Sequence, residues 1–208
     1  KICNKTIVSI FINPTQFNKK QDFRNYPRNT KKDLKILKKL KVNFVYMPTK
    51  DEIYAFKRQK KITLSKKQKI LCAKYRKGHF EGVIDVMDRL TKIIMPKKIF
   101  MGEKDFQQLY LVKRYIKKKY NIKVISCKTI RDHNGLALSS RNFNIEKKGL
   151  IKASKLTRNL IQFKKDLKSK KNIKKIIKEK KYKLIKIFKI KIEYLELRKK
   201  SNLSLSSN

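Results

Sequence analysis

The sequence predicts an α/β fold: a parallel sheet flanked by helices, followed by a smaller C-terminal α+β domain. Three observations carry that expectation. Short β-rich runs alternate with segments whose apolar residues recur at helical spacing, the pattern of a parallel sheet with crossover helices. Polar clusters at 13–16, 102–108 and 131–141 directly follow such runs, where ligands collect in open α/β sheets. After Arg141 the chain becomes lysine-rich and helical, which marks a change of unit.

Taken in order, KTIVSIFINP (5–14) is a β-branched run stopped by Asn-Pro, a buried strand with an abrupt end. TKKDLKILKKLKV (30–42) places apolar residues at 34, 37 and 40 behind Thr30, a helix with Thr30 as its N-cap. VNFVYMP (42–48) is a second strand closed by proline. Segment 83–95 is apolar at 83, 84, 86, 87, 90, 93 and 94, a helical pattern. KKIFMG (97–102) is a third strand, QLYLVKRYIKKKY (108–120) a helix and IKVISCKTI (122–130) a fourth strand. Residues 145–186 read as helical around a lysine-dense linker near 168–171. IKIEYLELR (190–198) reads as a strand, and the final ten residues as a polar tail.

The 208 residues hold 40% hydrophobic side chains, enough for a core. No apolar run approaches the roughly 18 residues of a membrane helix, and no signal-peptide pattern opens the chain. Cys3, Cys72 and Cys127 lack metal or CxxC spacing, as expected of a reduced cytoplasmic protein. The net charge of +44 raises nucleic-acid binding as a possibility. Of the 59 basic residues, however, 10 are arginine and 49 lysine, spread over nearly the whole chain. With Ile and Asn also abundant, compositional drift of the kind an AT-rich genome produces explains the charge better than selected affinity. Such a field still attracts anions.

Three clusters carry candidate chemistry. In NPTQF, Gln16 lies just past a strand end, and its amide both donates and accepts, suiting a ligand with carboxylate and hydroxyl groups. The competing explanation is an amide satisfying loop backbone. In GEKDFQQ, Gly102 permits close backbone approach, Lys104 suits a phosphate, and Asp105 suits a ribose hydroxyl or a metal. Gln107 and Gln108 open a helix whose first amides favour anions. A solvated turn with a Glu–Lys pair would look the same. In RDHNGLALSSRN, Ser139, Ser140 and Arg141 form a candidate polyphosphate clamp, against the plainer reading of a capped helix start. His79 and His133 have no Ser or Cys partner, so no triad is read and His79 is taken as structural. The combination suggests a nucleotide and a small polar acid joined by direct adenylation, with positioning and charge neutralisation as the catalytic means.

SIFINPTQF, YPR, GHFEGV, GEKDFQQL and NGLALSSRN occur in the order and approximate spacing of the pantothenate synthetases, and 6–142 strongly resembles that family. KIEYLELR extends the likeness weakly to about 198. The resemblance implies a Rossmann-like nucleotidyltransferase parallel sheet over 1–129 and a smaller domain over 130–208 carrying the phosphate-binding loop. It implies a cytoplasmic homodimer that joins pantoate to β-alanine using ATP and Mg²⁺, through a pantoyl-adenylate. By motif position, Gln16 and Gln108 would hold pantoate, with Gln16 also near β-alanine. Gly102, Glu103, Lys104, Asp105, Ile130, Leu138, Ser139, Ser140 and Arg141 would bind ATP, Ile130 through its backbone. Lys104, Ser139, Ser140 and Arg141 would support catalysis, and Asn13, Tyr26, Arg76 and His79 would be wall residues. No metal ligand is assigned.

The sequence also departs from the family. An HxGH-type motif, whose histidines face the ATP phosphates, belongs upstream of the first strand here, and the last strands beyond 198 are not recognisable. The chain is therefore expected to be a fragment with little or no activity by itself. His133-Asn134 replaces an Asp before Gly135, and Glu81 stands where Arg is common. The alternative is a basic RNA- or membrane-surface-binding protein, based on the amphipathic stretch NIKKIIKEKKYKLIKIF at 172–188.

Overall fold

β1 (Ile7–Ser9) and β2 (Phe44–Tyr46) pair in parallel, with Ile7 opposite Phe44 and Ser9 opposite Tyr46. The computed structural model describes residues 3–57, 60–167 and 172–206. The ladder runs on at both ends, from the Phe44 amide to the Thr6 carbonyl (3.0 Å) and from the Ile10 amide to the Tyr46 carbonyl (2.9 Å). Parallel strands need a long crossover, and here it holds a 3-10 turn at Pro14–Gln16, α1 (Lys20–Arg24) and α2 (Thr30–Lys39). Both strands are shorter than their apolar runs. Asn13 already belongs to the turn, and Asn43 spends its side chain on the Thr6 amide (2.9 Å). The cap of α2 is Asn29 rather than Thr30: its side chain accepts from the Lys32 amide, and Thr30 is the first helical residue.

α3 (Lys50–Tyr54) opens on a reciprocal capping box between Thr49 and Glu52. α4 (Cys72–Tyr75) is a single turn. α5 (His79–Ile94) begins four residues before the apolar periodicity, after Gly78 at φ 80°. It ends at Met95 in a left-handed conformation, followed by Pro96. β3 (Lys98–Gly102) pairs with β4 (Lys123–Cys127), and α6 (Phe106–Tyr120) connects them. Among the described residues the four strands therefore form two two-stranded sheets.

The chain divides into two compact units, one of Lys1–Met101 with Gln108–Ser126, the other of Gly102–Gln107 with Cys127–Asn208. In the first, Phe80, Val83, Ile84, Val86 and Leu90 of α5 and Leu109, Leu111, Val112 and Ile116 of α6 are buried, the apolar stripes that define both helices. Ile53 of α3 packs with Val86 and Leu90. Asp88 is buried and receives bonds from Lys119 Nζ (2.8 and 2.9 Å) and the Tyr120 hydroxyl (2.7 Å), fastening α5 to the last turn of α6.

The second unit holds α7 (Lys147–Asp166) and α8 (Ile173–Phe188), which pack together. The linker expected near 168–171 lies outside the described residues. The strand expected at 190–198 is absent; that segment has only an isolated antiparallel bridge from Arg198 to Leu205. β-Propensity alone makes no strand without a ladder partner. The tail is not simply polar either, because Leu203 is buried and the chain folds back from the Leu197 carbonyl to the Ser206 amide (3.0 Å). No helix among the described residues is long and apolar enough to cross a membrane.

Candidate functional site

The first group of candidate residues surrounds the Pro14–Gln16 turn. Proline at its first position starts the turn without needing a donor there. Asn13 is buried and its amide is engaged through both its nitrogen and its oxygen: Nδ2 donates to the Gly82 carbonyl (3.0 Å), while Oδ1 accepts from the Thr15 amide (3.2 Å), the Thr15 hydroxyl (2.9 Å) and the Tyr54 hydroxyl (2.7 Å). At the other end, His79 Nδ1–H donates to the Gln16 carbonyl at 2.6 Å. His79 is itself buried as the first residue of α5. The turn is thus clamped to α5 at both ends. Among the described residues no hydrogen bond takes up the Gln16 side-chain amide, which is half-buried.

Gly82 explains how closely the turn approaches. A Cβ there would lie 2.7 Å from the Thr15 carbonyl oxygen. Tyr26 packs edge-on against Phe17 (5.6 Å between rings), directly after the turn. Arg76 precedes α5, and its carbonyl accepts from the His79 amide (3.2 Å). Gln108, half-buried in the first turns of α6, belongs to the same unit.

The second group lies in the other unit. Gly102 is exposed and extended, with open space where a Cβ would stand, so the backbone is accessible. Glu103, Lys104 and Asp105 form a 3-10 turn running directly into α6. Lys104 Nζ pairs with Asp105 at 3.3 Å, and Lys200 Nζ stands 4.0 Å from Glu103. Gln107 is buried, unlike Gln108. Ile130 is exposed, and its carbonyl accepts from the Leu138 amide (3.0 Å). Between them the chain makes a tight loop: Asp132 Oδ1 accepts from the Asn134 and Leu136 amides (2.9 Å each), and Gly135 takes φ 83°. Ser139 caps the 3-10 turn Ser140–Asn144 by accepting from the Arg141 amide (3.4 Å). Ser140 and Arg141 are exposed. The capped start weighed for this stretch is present, and it presents Ser140 and Arg141 to solvent.

Sequence reasoning passed over Thr15, Tyr54 and Gly82. Tyr54 had a legible signal, because the Thr49-x-x-Glu52 spacing announces α3. The close approach at Gly82 had none, since it depends on where two segments meet. A cleft of about 770 Å³ in the first unit, rimmed by Lys60, Lys61, Arg114, Lys117 and Lys118, contains none of the predicted residues. Among the described residues no group of three or more His, Cys, Asp or Glu side chains could hold a metal ion.

The family model described as Pantoate-beta-alanine ligase matches residues 1–208. The chain belongs to the pantoate-beta-alanine ligase family. The pantothenate synthetase of Thermosipho africanus is 33% identical over 199 residues, covering 95% of this chain and 72% of that protein. A crystal structure of pantothenate synthetase from Thermus thermophilus superposes with a TM-score of 0.89 at 26% identity, covering 99% of this chain and 75% of that one. The Francisella tularensis pantoate-beta-alanine ligase, crystallised with β-γ ATP and β-alanine, gives a TM-score of 0.70 at 38% identity over 74% of this chain and 60% of its own. Other curated relatives of this ligase family are spanned over 34%, 59% and 56% of their length. The fold is accordingly the Rossmann-like nucleotidyltransferase α/β arrangement of these ligases.

Proposed function

We propose that the gene product condenses pantoate with β-alanine, using ATP and passing through a pantoyl-adenylate. The family match over residues 1–208 carries this reading, and the clamped Gln16 turn supports it. In the first step a pantoate carboxylate oxygen bonds to the α-phosphorus as the bond to the pyrophosphate oxygen breaks. In the second the β-alanine amine attacks the acyl carbon, the C–N bond forms, AMP leaves, and the amine proton passes to solvent. No protein nucleophile is needed, so the side chains position and neutralise.

Gln16 and Gln108 hold pantoate, and Gln16 also meets β-alanine. A turn with its backbone fixed at both ends suits that task, because a rigid support lowers the entropy lost on binding. Gly102, Glu103, Lys104 and Asp105 line the nucleotide, Ile130 meets adenine through its backbone, and Leu138, Ser139, Ser140 and Arg141 close on the phosphates. Lys104 and Arg141 offset the negative charge gathered on the transferring group. ATP enters as its Mg²⁺ complex, an ion usually held by phosphates plus one or two carboxylates. Asp105, beside Lys104, would be the carboxylate nearest to hand for it. The reading extends to a cytoplasmic homodimer with a nucleotide- and pantoate-binding domain at 1–129 and a smaller domain at 130–208.

The test is pantoate-dependent exchange of pyrophosphate into ATP without β-alanine, followed by AMP release when β-alanine is added, both in the complete gene product. Exchange that ignores pantoate would refute the proposed chemistry.

A further inference from the structure

We propose that Tyr54 is a positioning residue for Gln16, acting from α3 through Asn13 on the Pro14–Gln16 turn; its effect on ligand rests on the pantoate reading above. The hydroxyl of Tyr54 donates to Asn13 Oδ1 at 2.7 Å, the shortest of the three bonds that oxygen accepts, and lies 3.1 Å from the Thr15 hydroxyl. Burial, foremost, pushes the Tyr54 hydroxyl above its usual value, so it stays a donor throughout neutral pH. Asn13 is 2% exposed and carries the turn on its own amide.

The donor is held in turn by Arg89. Its guanidinium lies 4.6 Å from the Tyr54 ring centroid and donates to the carbonyls of Ile53 (3.1 Å) and Phe56 (2.8 Å). Asp85, one turn earlier on α5, fixes that arginine at 3.1 Å. A continuous path therefore runs from α5 through Asp85, Arg89 and Tyr54 to Asn13, and a second from α5 through His79 to the Gln16 carbonyl. The two paths set the turn from opposite ends. Removing the Tyr54 hydroxyl leaves the ring, its stacking and the Ile53 packing in place. Asn13 keeps its Thr15 and Gly82 bonds, so the turn should loosen without the protein unfolding.

Tyr54→Phe in the complete gene product is the experiment. We expect amide exchange at Thr15, Gln16 and Phe17 to quicken about tenfold, with Val86–Leu90 of α5 unchanged. We expect pantoate to bind about fivefold to tenfold more weakly, with the KM for ATP unaltered. Unchanged exchange at 15–17 would overturn the proposal whatever happens to pantoate. Faster exchange with undiminished pantoate affinity would overturn the link from Tyr54 to Gln16. If the unsubstituted protein binds no pantoate, the substrate reading falls instead, and exchange still decides whether Tyr54 holds the turn.

Discussion

Replacing Gly82 by alanine opposes two effects of known sign. Alanine in a helix interior is favoured over glycine by about 1 kcal/mol. Against that, the new Cβ would stand 2.7 Å from the Thr15 carbonyl oxygen and 3.0 Å from its carbonyl carbon and hydroxyl. Those neighbours are mostly backbone, so the turn must move by about 0.7 Å to reach an ordinary contact of roughly 3.4 Å. Overpacking of this kind costs about 1–3 kcal/mol, and the 3.0 Å bond from Asn13 to the Gly82 carbonyl is strained as well. The clash wins: Gly82→Ala should lose about 1 kcal/mol net in urea unfolding. Because the displaced turn carries Gln16, pantoate affinity should fall about 10–100-fold. Gly149→Ala is the control. There the Cβ would meet only Ile145 Cγ2 at 2.7 Å, the end of a side chain that can rotate, in the first turn of α7. That variant should be neutral or slightly stabilised. A Gly82→Ala protein that gains stability and binds pantoate as before would refute the argument.

Gln108→Ala should weaken pantoate by about 1.5–3 kcal/mol, the worth of a hydrogen bond to a charged ligand, and leave ATP nearly untouched; steady-state kinetics with each substrate varied will show it. Lys119→Met should destabilise by about 2–3 kcal/mol because it removes the counter-charge of the buried Asp88 carboxylate, whereas Asp88→Asn should lose only about 1 kcal/mol; equal losses in chemical denaturation would mean the pair is not a charge-dependent fastener. Burial, the largest influence on Lys119, pulls its pKa down, but the bonds to Asp88 and Tyr120 and the Asp88 charge outweigh it and the net direction is up. Tyr120 is raised too, by burial first. Both groups hold their protons to higher pH when folded, so their stabilisation is complete below the usual values near 10 and is lost as pH climbs beyond them. A thermal-unfolding series in alkali should lose stability there, less steeply in Asp88→Asn. If drift explains the +44 charge, retention on RNA should be sequence-blind and vanish steeply with salt in a filter-binding assay; a salt-resistant, sequence-selective complex would contradict that.

Local rules made much of the molecule legible from the amino acids. The α5 and α6 stripes, the four strand locations and the turn at Asn13-Pro14 follow from periodicity and proline chemistry, which act within a few residues. The motif order singled out Gln16, Gln108, the Gly102–Asp105 turn and the Ser139–Arg141 stretch as candidates, the polar clusters among them lying where ligands collect in open α/β sheets. What tertiary structure alone decided was partnership. IKIEYLELR has the composition of a strand, but a ladder requires a second backbone, and here the chain offers only the Arg198–Leu205 bridge. Asn29 rather than Thr30 caps α2, because the choice depends on which side chain reaches the Lys32 amide. His79, Gly82 and Tyr54 are 63, 67 and 39 positions from the Thr15–Gln16 groups they touch. No local period encodes such separations. They become neighbours only when burial of Val86, Leu90 and Ile53 brings α3 against α5, and the helix then carries its glycine and histidine to the turn.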